Sequence, residues 1–366
     1  MPQSRAAVLD GTGQPRLEVR LFEVPRLGAG GEIVLRTVMC GVCGSDFHRY
    51  SWATHGPTIL GHEILGVVEH APVGALAADG SPLRVGDLVV PETRIPCHQC
   101  EYCRGVGSRA SKLIDYALCP QQRGLGGIPL DELPLLSGGW SDYIELPLGA
   151  IVHHLDRSMN PAVAVLLEPF SIGMKAARTA DIRPDDTVVI LGPGPIGLFA
   201  TVAAHEAGAR KIILAGRSGD EKRLALGREL GAHETLELGD GDPVEMLRSI
   251  NRGRLATRVI EATGSAGAVE TGLDLLGRGG VLTTVGGHRP GTRISIDPAD
   301  LVWKQLDIRG SALGANNYEN CIAVLAKGEY PFEKLVTHRF KLTQIELALE
   351  TFGQRGDCIK PVIVFD

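Results

Sequence analysis

Two stretches of the chain concentrate side chains that bind metals. Near residue 40 the sequence reads CGVCGSDFH, and 19 residues after Cys43 comes GHE. A thiol, the His62 imidazole and the Glu63 carboxylate are thus available as the mixed sulfur, nitrogen and oxygen set that zinc accepts. Singly they say little: Cys40 or Cys43 would by default be a small buried apolar residue, and a lone histidine is more often satisfied in the core than bound to metal. Residues 97–103 read CHQCEYC, overlapping CxxC pairs whose spacing lets Cys97, Cys100 and Cys103 reach one tetrahedral ion. The next thiol, Cys119, follows a gap of 15 residues. Either a surface excursion returns Cys119 as the fourth ligand, or another residue serves, or the lobe holds no zinc.

A third stretch is suited to phosphate. From Thr187 to Gly197 the chain reads TVVILGPGPIG, with Gly192, Gly194 and Gly197 following an apolar strand and Pro195 and Ile196 opening an apolar helix. In that context the first glycine permits a tight turn, the second a close approach to a pyrophosphate, and the third close packing of helix on strand. At the end of the next strand-like run, KIILAG, an acid would usually bind the adenosine ribose hydroxyls; here stand Gly216, Arg217 and Ser218. With no carboxylate to repel a 2′-phosphate and a guanidinium and a hydroxyl to bind one, NADP is expected, with NAD as the alternative.

These residues need elements to position them. Up to about residue 150 short β-branched runs such as EIVLRTV and RVGDLVV alternate with Gly and Pro, the texture of brief strands and turns. From about 180 apolar strands alternate with helical periodicity, which implies βαβ units and a parallel sheet. LDIRGS near 306–311 completes such a sheet, NNYENCIAVLAKGE reads as helix, and CIKPVIVFD ends the chain as a strand that rejoins the first part.

Taken together, CGSD, GHE, the Glu168–Pro169 pair in LLEPFSIG and the glycine motif resemble the zinc-containing medium-chain dehydrogenase/reductase family over nearly the whole chain. The resemblance implies an α/β protein. A GroES-like β domain would span 1–165, with 313–366 returning to it, and a Rossmann domain with a doubly wound parallel sheet would span 166–312. It places a catalytic zinc on Cys43, not Cys40, with His62, Glu63 and Glu168, and a structural zinc on Cys97, Cys100, Cys103 and Cys119, although the family's fourth thiol comes sooner than in this chain. Ser45 would accept the alcohol proton and pass it toward His48, while Asp46 orients His62. The zinc would act as a Lewis acid on the carbinol oxygen. An acid at the Glu168 place is similar to the polyol branch, so hydride exchange between NADP or NAD and a polar secondary alcohol, a polyol, cyclitol or sugar, is expected. The alternatives are a reductase of simple ketones or aldehydes and a non-catalytic sensor that binds zinc and dinucleotide. A homodimer or homotetramer built through the Rossmann domain is implied as well.

Composition narrows the partners. Acidic residues outnumber basic ones by 43 to 37 and no Lys/Arg run stands out, so neither nucleic acid nor an anionic membrane is expected, and a small alcohol or carbonyl compound is. No charged lead with an apolar stretch opens the chain, and no run reaches the roughly 18 apolar residues of a membrane span, so a cytoplasmic protein is expected. Cys321 and Cys358 read as inert packing residues, and Lys360 as an exposed lysine.

Overall fold

The computed structural model describes residues 3–11, 13, 15–24, 32–52, 56–105, 116–132 and 134–366. The excursion between Cys103 and Cys119 is therefore described only in part, since 106–115 lie outside. The chain divides into two compact units: Met1–Glu168 with Tyr318–Gly328 and Phe332–Asp366, and Pro169–Asn317 with Glu329–Pro331. Among the described residues no helix is long and apolar enough to cross a membrane.

The first unit is organised around the strand Ile33–Gly41. One edge pairs antiparallel with Glu63–His70; the other is shared between Tyr143–Leu146 and the C-terminal strand Lys360–Val364. Leu35, Cys40, Ile64, Val68, Trp140, Ile144 and Ile363 are fully buried in its core, each large apolar side chain contributing about 1.5–3 kcal/mol on burial. The register sets Gly41 opposite Glu63 and Cys40 opposite Ile64, so Cys43 just beyond one strand and His62 just before the other emerge at the same end of the ladder. Gly61 makes the turn into His62 at φ +86, where a Cβ would stand 2.5 Å from the indole of Trp140. A short helix, Gly44–Trp52, starts directly after Cys43, and Asp46 in its first turn reaches back to accept from the Cys43 backbone N–H at 3.1 Å.

The second unit carries the parallel sheet that the alternating sequence predicts. Its strands run in the order Glu234–Glu237, Lys211–Gly216, Thr187–Leu191, Ala256–Glu261, Leu276–Thr284, Asp307–Gly310. Val189, Leu191, Ile213, Val259 and Leu282 fill one face of it. From the strand Thr187–Leu191 the chain first builds outward on one side and later on the other. The switch point, where α/β sheets receive ligands, therefore lies at the carboxyl ends of Thr187–Leu191 and Ala256–Glu261.

Candidate active site

The ladder ends bring Cys43, His62 and Glu63 together, with one donor atom from each within 4.8 Å of the others. His62 Nδ1 faces Asp46 Oδ1 at 3.1 Å, which directs Nε2 away from the carboxylate, and the Ser45 hydroxyl lies 3.4 Å from that Nε2. Ser45 and His48 are three residues apart on the helix Gly44–Trp52 and share a face, so a hydroxyl beside the imidazole leads to a second imidazole at the surface. Burial works against a charged His62 ring, yet the Asp46 charge and then the Cys43 sulfur hold its pKa well above the ordinary histidine value. A site that favours a proton on this ring also favours a metal cation in its place, and the donor set fits zinc with one position open.

Two carboxylates stand at this centre in different states. Lys360 Nζ donates to both oxygens of Glu63, at 2.6 and 2.7 Å, so the lysine that the sequence places at the surface is buried. Its backbone lies in the C-terminal strand beside Ile33–Gly41, which is why no local pattern reveals the pairing. Glu168 lies outside the closest donor set. Its Oε1 accepts from the Thr93 hydroxyl at 2.8 Å, and burial pushes its carboxyl up to about 7, with His62 opposing and Glu63 adding to the shift.

Cys97, Cys100, Cys103 and Cys119 bring their sulfurs within 4.8 Å of one another despite the long gap in sequence. The sulfur–sulfur separations of 3.5 Å for Cys100–Cys103 and 4.0 Å for Cys97–Cys103 match the edge of about 3.8 Å of a tetrahedron with Zn–S near 2.3 Å. The Gln99 backbone N–H leads the interactions that draw the Cys97 thiol down to about 6, whereas burial and the neighbouring thiols push Cys103 up to about 12. Without a cation the thiols cannot all ionise together; a bound zinc would remove that conflict. The return of the chain is held by Tyr116, whose phenol donates to the buried Glu92 at 2.6 Å.

In the second unit Gly192 turns at φ +101, its added Cβ would meet Thr263, and a Cβ on Gly197 would strike the Gly192 carbonyl. Gly194 precedes the helix Pro195–Glu206, with Pro195 and Ile196 in its first turn and open space where a Cβ would project. This cradle fits a pyrophosphate. Gly216 ends its strand buried, and Arg217 and Ser218 are exposed. A carboxylate is nonetheless present. Asp220 Oδ2 accepts from the Arg217 backbone N–H at 3.0 Å and would lie 3.2 Å from a Cβ on Gly216. The expectation of a carboxylate-free strand end is therefore corrected: the turn brings back an acid from four residues on.

Residues 29–156 match the family model for the alcohol dehydrogenase GroES-like domain, and residues 195–327 that for zinc-binding dehydrogenases. The chain belongs to the zinc-containing medium-chain dehydrogenase family. This dehydrogenase is 30% identical to sorbitol dehydrogenase of Bacillus subtilis over 99% of its own length and 98% of the relative's. It is 32% identical to 5-exo-hydroxycamphor dehydrogenase of Pseudomonas putida over 99% of both chains. An alcohol dehydrogenase from Thermotoga maritima shares its structure with a TM-score of 0.89 at 28% identity, over 100% of both chains.

One residue of the dehydrogenase that sequence reasoning passed over sits at the switch point. Glu261, fully buried, accepts from Thr263 N and Oγ1 at 2.6 Å, Gly264 N at 2.8 Å and Thr284 Oγ1 at 2.9 Å, with His288 Nε2 at 3.2 Å. It ties together the loops that follow the paired strands Ala256–Glu261 and Leu276–Thr284. The signal was available as an acid closing the otherwise apolar strand end VIE in RVIEATG.

Proposed function

We propose that this dehydrogenase exchanges hydride between a polyol, cyclitol or sugar and NADP at a zinc held by Cys43 and His62, with Glu63 and Glu168 as the carboxylates of that centre. The observation that carries the reading is the packing of Ser45 Oγ against His62 Nε2 beside a donor set that leaves a position for a substrate oxygen. Bound zinc would supply Lewis acidity toward that oxygen, and the nicotinamide the hydride acceptor. Ser45 takes the alcohol proton and relays it to His48, because a hydroxyl both accepts and donates. Asp46 fixes the tautomer and orientation of His62. The sorbitol, L-idonate and D-arabitol-phosphate dehydrogenases among its relatives support a hydroxylated substrate over an apolar ketone.

NADP is preferred because Arg217 and Ser218 stand exposed at the strand end, while Asp220 is engaged by the Arg217 N–H and has Arg223 Nε at 3.8 Å. A second zinc, in the four-thiol lobe, is structural. The open edge strand Asp307–Gly310, with exposed Val302, Trp303 and Ile308 in and just before it, supports a homo-oligomer built through the second unit.

The test is a steady-state screen of the zinc-loaded protein against polyols, cyclitols and simple secondary alcohols, with NADP and NAD in parallel. Faster turnover of polyols, abolished in Cys43→Ala while dinucleotide still binds, is expected. Preference for simple ketones or aldehydes would reverse the substrate reading. No turnover with either dinucleotide would leave only a binding role.

A further inference from the structure

We propose that Arg94 and Arg49 form an oxyanion subsite beside the reacting centre, so that the alcohol this enzyme acts on carries a phosphate or carboxylate group. The proposal rests on Cys43 and His62 being that centre.

Arg94 follows Thr93, whose hydroxyl holds Glu168. Its strand pairs so that Gly124 lies opposite, and the guanidinium covers Gly124 where any Cβ would clash. Arg49 projects from the helix that carries Ser45 and His48. Its guanidinium covers Gly127 in the same way and donates to the Gly126 carbonyl at 2.7 Å. Gly126 in turn packs on Gly61, the residue before His62, with room for no side chain: a Cβ would stand 2.6 Å from the Gly61 carbonyl. A run of glycines thus forms one floor under both arginines and next to the imidazole.

Neither arginine forms an ion pair among the described residues. Among the described residues the Arg94 side chain makes no hydrogen bond, and its Nε is buried without an acceptor. Burial and the neighbouring Arg49 charge lower the Arg94 pKa, against the pull of Glu168. Buried polar groups are almost always satisfied, and two adjacent guanidinium ions repel each other. A phosphate or carboxylate relieves both conditions, since its oxygens accept from the planar donor forks in parallel. Glu168 pulls against that shift, but its Oε1 accepts from the Thr93 hydroxyl, and one carboxylate does not neutralise two guanidinium ions.

The test compares kcat/KM for a polyol, its phosphate ester and the corresponding sugar acid, and measures inhibition by inorganic phosphate. An anionic substrate should exceed its neutral parent by about thirtyfold, in line with one charge-assisted hydrogen-bonded pair. Which anion wins identifies the group. Inorganic phosphate should compete with the alcohol and not with the dinucleotide. In Arg94→Met the ratio of anionic to neutral kcat/KM should collapse toward one, and Arg94→Lys should restore part of it. Equal turnover of neutral and anionic polyols overturns the proposal, and so does phosphate that competes with the dinucleotide, which would assign the arginines to the cofactor. The phosphate competition uses the unmodified enzyme and decides the matter even if Arg94→Met does not fold. Absence of turnover with every alcohol would overturn the reacting centre and the proposal with it.

Discussion

Lys360 Nζ and the Glu63 carboxylate form a buried two-point ion pair at 2.6 and 2.7 Å, joining the last strand of the chain to the segment that carries His62. Each partner is at most 2% exposed. The Lys360 ammonium also lies 3.3 Å from the Val42 carbonyl, one residue before Cys43, so the cation braces both sides of the candidate zinc centre. Removing it leaves an unpaired charge in low dielectric. Lys360→Met should therefore lower unfolding stability by about 3–5 kcal/mol in urea melts, and adding Glu63→Gln should recover much of that loss. A single variant as stable as the parent would mean that Glu63 takes up a proton or another partner.

Cys119 tests the thiol lobe. Its sulfur accepts from the Cys97 backbone N–H at 3.4 Å and its side chain is buried, so Cys119→Ser should open the site without exposing a core. Zinc content should halve, Cys97 and Cys103 should become reactive toward a thiol reagent, and turnover should persist at a reduced level, because a closed thiolate site contributes to folding and does not touch substrate. Unchanged metal content in this variant would assign the fourth position to another residue.

His153 gives the first unit a pH dependence. The ring is 4% exposed, lies 3.0 Å from Glu92 and 2.7 Å from Glu319, and stacks on Tyr318. Burial opposes its protonation, but hydrogen bonds to the two carboxylates raise its pKa above the ordinary value of 6.5. A raised folded-state pKa contributes stability that is complete below the unfolded value and is lost as pH rises through the folded one. His153→Gln should accordingly depress Tm more at about pH 6 than at about pH 9. An equal depression at both would show that the ring acts by packing alone.

What could be read from the sequence was local. The strand, GxGxxG and helix of 187–206 sit within one βαβ unit, so periodicity and spacing identify the sheet, whereas the choice of Cys43 as the partner of His62 rests on the resemblance of CGSD and GHE, which flank two strands that pair. Lys360 meets Glu63 across 297 residues, and Glu92 meets His153 across 61; such pairings come from sheet register and leave no trace in a window of sequence. Asp220 escaped notice for the opposite reason. It is only four residues from Gly216, but the bend of the turn, not the strand, decides where its carboxylate points.

That carboxylate makes cofactor choice the most informative measurement on the second unit. Gly216→Asp, the obvious change toward an NAD site, would crowd Pro193 Cγ at 3.0 Å and Asp220 Cβ at 3.1 Å and set two like charges side by side, so its effect would mix packing with selectivity. Arg217 and Asp220 are cleaner. Arg217 is exposed at the strand end, and its contribution to a 2′-phosphate would be a charge-assisted pair, about ten- to a hundredfold in selectivity. Arg217→Ala should weaken NADP by that factor and NAD little. Asp220→Ser removes a negative charge close to the same position while keeping a short acceptor for the Arg217 N–H, so it should raise preference for NADP further. Dissociation constants for NADPH and NADH, read from quenching of protein fluorescence, separate these effects from chemistry. A parent enzyme that already binds NADH tenfold tighter, with Arg217→Ala neutral and Asp220→Ser losing NADH, would reverse the assignment and make Asp220 the ribose-binding acid.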